Sequence, residues 1–240
     1  MSHGTLTQPP PRQFVRPPPG PVPAPTPGQV PGTLLHDSAI HSQLHNGIVR
    51  TVVKEGLYEC RASGNPRIKV NADHTFSLIC DAGHGRFYTY VPNYNVYMVL
   101  VAGWGNQVPG QDISLKLRSR HNEPDPCDNR FGGFGFAFDR SGFSAKTEPC
   151  HNNHVPNASG PLPFKIATGQ YVTIEFSVKD EGAGVRQIAK LNGTQVMNKI
   201  IPRQAAPQSL FIPRSYIWVR QNIGSGTGEL RIKNLKLYAI

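Results

Sequence analysis

From Val49 to the C-terminus, apolar residues recur at every second position in short runs broken by turn residues. This is the period of a half-buried strand, not of a helix. RIKVN and TFSLICD flank Ala72-Asp73-His74 and read as a hairpin, with Ile68 and Val70 alternating on one arm and Phe76 and Leu78 on the other. NVYMVLVAGW (95–104) is almost continuously apolar, as in a strand buried on both faces. DISLKLRSRH (112–121) sets Ile113, Leu115 and Leu117 against Lys116, Arg118 and Arg120. FGGFGFAFD (131–139) sets Phe134, Phe136 and Phe138 against glycine or alanine. YVTIEFSVKD (171–180) turns Val172, Ile174, Phe176 and Val178 inward, and RQIAKLNGTQVMNK reverses at Asn192-Gly193, a strong hairpin signal. SYIWVRQN and ELRIKNLKLYAI close the chain. Ten to fourteen strands without a long helix predict an all-β, two-sheet antiparallel β-sandwich of jelly-roll type.

The first 45 residues break this pattern. Residues 9–31 hold 11 of the 23 prolines. Proline fixes φ and removes a donor, so residues 1–45 read as a disordered or extended proline-rich arm or linker, and residues 46–240 as one β-sandwich domain. Residues 34–47, with His36, His41 and His45, read as a short helix or an extended lead-in. The arm reads as a spacer, or as a docking arm for a neighbouring subunit, giving a homo-oligomer, or for a proline-reading module.

Charge changes the picture next. The chain carries a formal net charge of +10, and the arm contributes only Arg12, Arg16 and Asp37. The excess therefore lies on the folded body and favours acidic partners such as acidic polysaccharide. Nucleic acid is not expected, because no reader motif is present. No apolar run is long enough to insert into a membrane. Cys60, Cys80, Cys127 and Cys150 form an even set without a CxxC, which argues against a zinc ribbon. Cys60–Cys80 with Cys127–Cys150 is the simplest of three pairings, and disulfides imply an extracellular or cell-surface location. The sequons at Asn157 and Asn192 agree with that compartment. The N-terminal segment MSHGTLTQPPPRQF has no signal-peptide core.

Three groups of residues could carry chemistry. Lys116, Arg118 and Arg120 would step along one face at about 6.5–7 Å and could pair with successive sugar carboxylates, or form a solvated outer face. Tyr216, Trp218 and Arg220 share a strand face, where an aromatic ring could stack on a sugar while Arg220 and Gln221 bond its rim. Alternatively, Trp218 is core. His121, His151 and His154 with Asn122, Asn152 and Asn153 could supply a base and a carboxylate neutraliser for β-elimination, or form a polar loop beside Cys150. Zinc at His151 and His154 lacks a third ligand, so no metal is expected. Asp125, Asp128 and Asn129 could hold a structural calcium, and no other cofactor is expected. Glu148, Glu175 and Asp139 are not joined by any hydrolase motif.

LKLRSRHNE, GGFGFAFDRSG, KTEPCHNNH, the GQYVTIEFSVKDEGAGVRQIAKLNGT hairpin and YIWVRQNIGSGTGELRIKNLKLYAI follow in that order. Over about residues 95–240 this order resembles the concanavalin A-like lectin/glucanase jelly rolls, among them loosely the alginate-lyase-like sandwiches. The resemblance implies a polysaccharide groove on one sheet and makes LKLRSRH the counterpart of the lyases' arginine strand. Within that stretch the Gln-x-His, Tyr-Phe-Lys-Ala-Gly and Glu-x-Asp-x-x-Glu strands of catalytic members are absent. The expected function is non-catalytic recognition of an acidic glycan. A divergent polysaccharide lyase using His121, His151 and Arg118 is the first alternative, and a structural coat or filament subunit assembling through the arm is the second.

Overall fold

The computed structural model describes residues 32–37, 52–54, 57–61, 67–71, 75–91, 95–119, 131–150, 153–202 and 215–240. The strands are β1 (Thr33–Asp37), β2 (Val52–Lys54), β3 (Leu57–Arg61), β4 (Arg67–Val70), β5 (Phe76–Cys80), β6 (Gly83–Val91), β7 (Val96–Trp104) and β8 (Asp112–Ser119). They continue as β9 (Phe131–Phe138), β10 (Gly142–Cys150), β11 (Asn153–Pro161), β12 (Val172–Glu181), β13 (Gly184–Leu191), β14 (Thr194–Pro202), β15 (Ser215–Ile223) and β16 (Gly228–Ala239). No helix occurs among the described residues, so none there is long and apolar enough to cross a membrane.

The first sheet runs β14-β13-β12-β7-β16-β5-β4, with β1 added to β16. The second runs β11-β10-β9-β8-β15-β6-β3-β2. All the pairings are antiparallel, and chain neighbours often separate, as β7 from β8 and β15 from β16. This is the two-sheet sandwich that the alternation predicts. β1 alters the boundary of the arm: Thr33 pairs with Ala239 and Leu34 with Tyr238. The folded unit thus includes Thr33–Asp37, because β16 is long enough to pair with β5 along one stretch and β1 along the next. Residues 1–31 lie outside the described residues.

Alternation explains which side chains meet. On β7, Val96, Met98, Leu100, Ala102 and Trp104 are buried against the second sheet. On β9, Phe134, Phe136 and Phe138 turn inward. Phe136 lies 5.7 Å from Phe176 of the first sheet, 6.1 Å from Phe138 and 6.0 Å from Phe143. Each such ring stabilises the fold by about 1.5–3 kcal/mol through its burial alone, and the tilted pairs add somewhat more.

One sequence expectation changes here. Asn157 is a buried hydrogen-bond donor, not a glycan acceptor: its amide nitrogen donates to Thr147 Oγ1 at 2.9 Å and Gln187 Oε1 at 2.7 Å. A sequon records residue spacing, whereas Asn157 spends both amide protons holding β11 to β10 and β13. Asn192, by contrast, is exposed at its hairpin with φ 48°. Cys80 is buried on β5 of the first sheet, while Cys60 on β3 of the second is in register with Arg86. Residues 120–130 lie outside the described residues, and with them Cys127 and its expected bond to Cys150.

Replacement of Phe136 by alanine should cost about 3–5 kcal/mol in urea unfolding, because rings from both sheets lose their partner. Gln195→Ala, at an exposed strand position, should stay within about 0.5 kcal/mol. Equal losses would contradict the placement of the core.

Candidate functional site

The registers of the second sheet assemble one face turned away from the core. Ile113, Leu115 and Leu117 of β8 point inward, so Asp112, Ser114 and Lys116 occupy the outward positions. On β15, Trp218 is in register with Lys116, Arg220 with Ser114 and Asn222 with Asp112. On β6, Tyr88 follows Trp218, Arg86 follows Arg220 and His84 follows Asn222. Tyr58 of β3 continues the first row. On the other side of β8, Gly135 and then Lys146 continue the row of Lys116. The outward face therefore crosses from an aromatic and basic row, through an arginine row, to a histidine, asparagine and aspartate row.

The β9 glycines shape this face. A Cβ at Gly133 would lie 2.7 Å from Lys116 Cγ and Cδ, and one at Gly135 would lie 3.3 Å from Lys146 Cγ. Both lysine stems therefore lie flat across the strand, in space that only glycine leaves. Lys116 is only 3% exposed. It is a covered element of the face and not the solvent-facing rung that alternation suggests.

Arg118 departs further from expectation. Between Trp218↔Lys116 and Tyr216↔Ser119, two residues of β8 oppose one of β15. This is a β-bulge. Arg118 adopts φ 53° there and turns inward directly after the inward-facing Leu117. Its Nη1 donates to Asp180 Oδ1 at 3.0 Å and its Nη2 to Asn95 Oδ1 at 2.7 Å, both on the first sheet's side of the sandwich. Asn95 Oδ1 also accepts from the Asp180 backbone N–H at 2.8 Å. The Arg118 guanidinium lies 6.0 Å from the Phe134 ring centre, and the residue is fully buried. The basic ladder of Lys116, Arg118 and Arg120 is thus broken at its middle residue. A sequence that alternates by two carries no mark of the inserted bulge residue.

An open depression of about 260 Å³ lies at the polar end of the outward face, lined by Asp112, Ala137, Phe138, Asp139, Ser141, Gly142, Phe143 and Ser144. Asp139 forms its rim. Its Oδ1 accepts from the Ser141 N–H at 2.7 Å, the Ser141 hydroxyl at 2.6 Å and the Gly142 N–H at 2.9 Å. Burial opposes ionisation, but the Ser141 and Gly142 donors outweigh it and hold the carboxyl below its usual range. Asp112 accepts from the Ser114 hydroxyl at 3.1 Å. The neighbouring Arg140 stacks 4.7 Å over Trp104 and donates to the Asn106 carbonyl at 3.1 Å, which fixes the turn that carries the rim. Such a depression presents hydroxyls, carboxylates and half-buried aromatic edges to a ligand.

The other expected residues are dispersed. Trp218 is in register with Lys116, Arg220 with Ser114 and Tyr216 with Ser119, while Gln221 is in register with Ile113. Arg120, His121, Asn122, Asp125, Asp128, Asn129, His151 and Asn152 lie outside the described residues. Among the described residues no group of three His, Cys, Asp or Glu side chains could hold a metal. Glu175 belongs to the outward face of the first sheet, where it accepts from Tyr97 Oη at 2.6 Å. Burial and then the Glu175 hydrogen bond push the Tyr97 phenol up. Glu175 and Asp139 are thus on different sheets and cannot act as a hydrolase pair. The His84, Arg86, Tyr88 series was not singled out from the sequence, although its two-residue spacing is the available signal.

Comparison with solved structures identifies the fold. One match is described among endo-acting O-glycanases that prominent members of the human gut microbiota express to initiate mucin breakdown. It has 10% identity and TM-score 0.55, covering 87% of this chain and 100% of that one. The exoplasmic/lumenal domain of VIP36, in a Ca2+/Man3GlcNAc-bound form, has 11% identity and TM-score 0.53, covering 85% and 90%. Alginate lyase A1-II′, a member of polysaccharide lyase family 7, has 10% identity and TM-score 0.51, covering 72% and 84%. The chain shares the jelly-roll β-sandwich fold of these proteins. No protein-family model and no curated protein matches the sequence.

Asp139 carries a testable pH signature. Its folded pKa lies below the ordinary 3.8. Its contribution is therefore present above that value and lost as pH falls through the folded one. The stability gap between wild type and Asp139→Asn should close as pH drops from about 4 to about 2. A gap that stays constant over acid titration would show that the Ser141 and Gly142 donors do not hold the carboxylate.

Proposed function

We propose that this protein is an extracellular or cell-surface glycan-recognising β-sandwich, non-catalytic, that binds acidic polysaccharide across the outward face of its second sheet. The observation that carries this reading is the register of β6, β15 and β8. It gathers Tyr88, Trp218, Arg86, Arg220 and Ser114 on one face, beside the depression rimmed by Asp112 and Asp139. Aromatic residues suit the apolar faces of sugar rings. Arginine suits carboxylate or sulfate through its two-pronged fork. The net charge of +10 favours a polyanion over a neutral glucan and speeds its capture at low salt. The jelly-roll fold, shared with proteins described as binding or breaking down glycans, supports the same class of ligand.

Elimination chemistry loses one of its expected participants, because Arg118 is committed to Asp180 inside the sandwich. One observation favours a lyase nonetheless: His84 stands opposite Asn222, next to the Arg86–Arg220 pair. A base and an amide neutraliser at adjacent positions are the parts β-elimination needs.

Affinity gels containing alginate, polygalacturonate, hyaluronan, a sulfated glycan and laminarin, read beside ultraviolet absorbance of the same mixtures, test both readings. Retardation by the acidic polymers without rising absorbance is expected. It should be weakened by Trp218→Ala or Arg220→Ala and by added salt. Rising absorbance from an unsaturated product would establish the lyase, with His84 as the first residue to replace. Migration unaffected by every polymer would overturn glycan recognition and leave assembly through the proline-rich arm as the remaining reading.

A further inference from the structure

The fully buried Arg118 has no place in direct ligand contact, yet it sits in the strand that underlies the proposed binding face. Its backbone is in a left-handed conformation that side chains other than glycine and asparagine seldom adopt. Strain of this kind persists only where surrounding contacts over-determine it, and bulges gather next to functional sites. Here the contacts come from the opposite sheet: the Asp180 carboxylate, and an Asn95 carbonyl oxygen that Asp180's own amide also holds. Arg118, Asp180 and Asn95 thus join the two sheets through polar contacts, with Phe134 beside them. A buried guanidinium must be paired, so Arg118 cannot return to the outward face without leaving Asp180.

The bulge decides which residues of β8 and β15 stand side by side. With it, Lys116 is opposite Trp218 and Ser119 opposite Tyr216. Without the extra residue, pairing carried on from Lys116 and Trp218 would set Arg118, not Ser119, opposite Tyr216 and return its side chain to the outward face. We infer that Arg118 is a positioning residue: its pin to Asp180 and Asn95 holds the bulge that sets Ser119, not Arg118, beside Tyr216 at the end of the glycan-binding face. This rests on the proposed function for its consequence, but its structural content stands independently. Asp180, on the sheet that does not carry the site, thereby controls ligand affinity without touching ligand.

The test replaces the pin with apolar residues of similar size, Arg118→Met with Asp180→Leu, which leaves no charge unpaired in the core. The variant should keep the wild-type thermal midpoint and far-ultraviolet spectrum. Its affinity for the polymer that retards wild type should fall about tenfold or more, as expected when contact groups move by about an ångström. Backbone proton contacts between Ser119 and Tyr216 in an NMR spectrum should be lost together with affinity, while those between Lys116 and Trp218 remain. Asp180→Glu, which keeps the ion pair, should restore most of the affinity that Asp180→Asn loses. If the double variant does not fold, the Asp180→Glu and Asp180→Asn pair decides alone. Unchanged affinity, or an intact Ser119–Tyr216 contact after the pin is removed, would overturn the inference. If wild type binds none of the polymers, the binding reading fails, and the NMR contact alone decides whether Arg118 holds the bulge.

Discussion

The layer of aromatic rings between the two sheets is the constraint on which the rest depends. Phe134, Phe136 and Phe138 fill it from β9, Phe176 from β12 and Trp104 from β7. A strand that turns a large ring inward at every second residue leaves the intervening positions to the opposite face. On β9 those positions are Gly133, Gly135 and Ala137. They contribute almost no side-chain volume, so the lysine stems of Lys116 and Lys146 can lie across them. Core packing and the relief of the candidate binding face are therefore two consequences of one alternating sequence. The ring layer sets the separation of the sheets, and the glycines set the depth of the outer surface.

Polar groups inside the sandwich serve a different purpose. Asn157 with Thr147 and Gln187, and Arg118 with Asp180 and Asn95, each join strands of opposite sheets. Apolar contacts alone tolerate sliding of one sheet over the other, whereas a hydrogen-bonded amide or a forked guanidinium does not. Burying them costs desolvation that their bonds largely offset, so their contribution is to alignment more than to net stability. This division explains why Arg118, near the end of β8, is found between the sheets and not on the surface.

Much of the architecture was legible in the sequence because strand alternation is a local signal. YVTIEFSVKD, the Asn192-Gly193 reversal and the phenylalanine–glycine strand all lie as the pattern indicates. The candidate site was only half legible. The shared face of Trp218 and Arg220 follows from period two, but their neighbours on β6 depend on which strands pair, which alternation does not encode. Arg118 escaped because a bulge shifts the period by one residue without any glycine to mark it. Asn157 lay within a sequon, a three-residue pattern blind to burial.

The most direct measurement is amide NMR mapping of an acidic oligosaccharide titrated into the isotope-labelled protein. The account predicts that shift changes concentrate on β6, β8, β15 and the Asp139–Ser144 turn, while the outward face of the first sheet, around Tyr97 and Glu175, stays still. Changes centred on that first-sheet face, or on the β11 and β14 edges, would contradict the assignment of the binding surface.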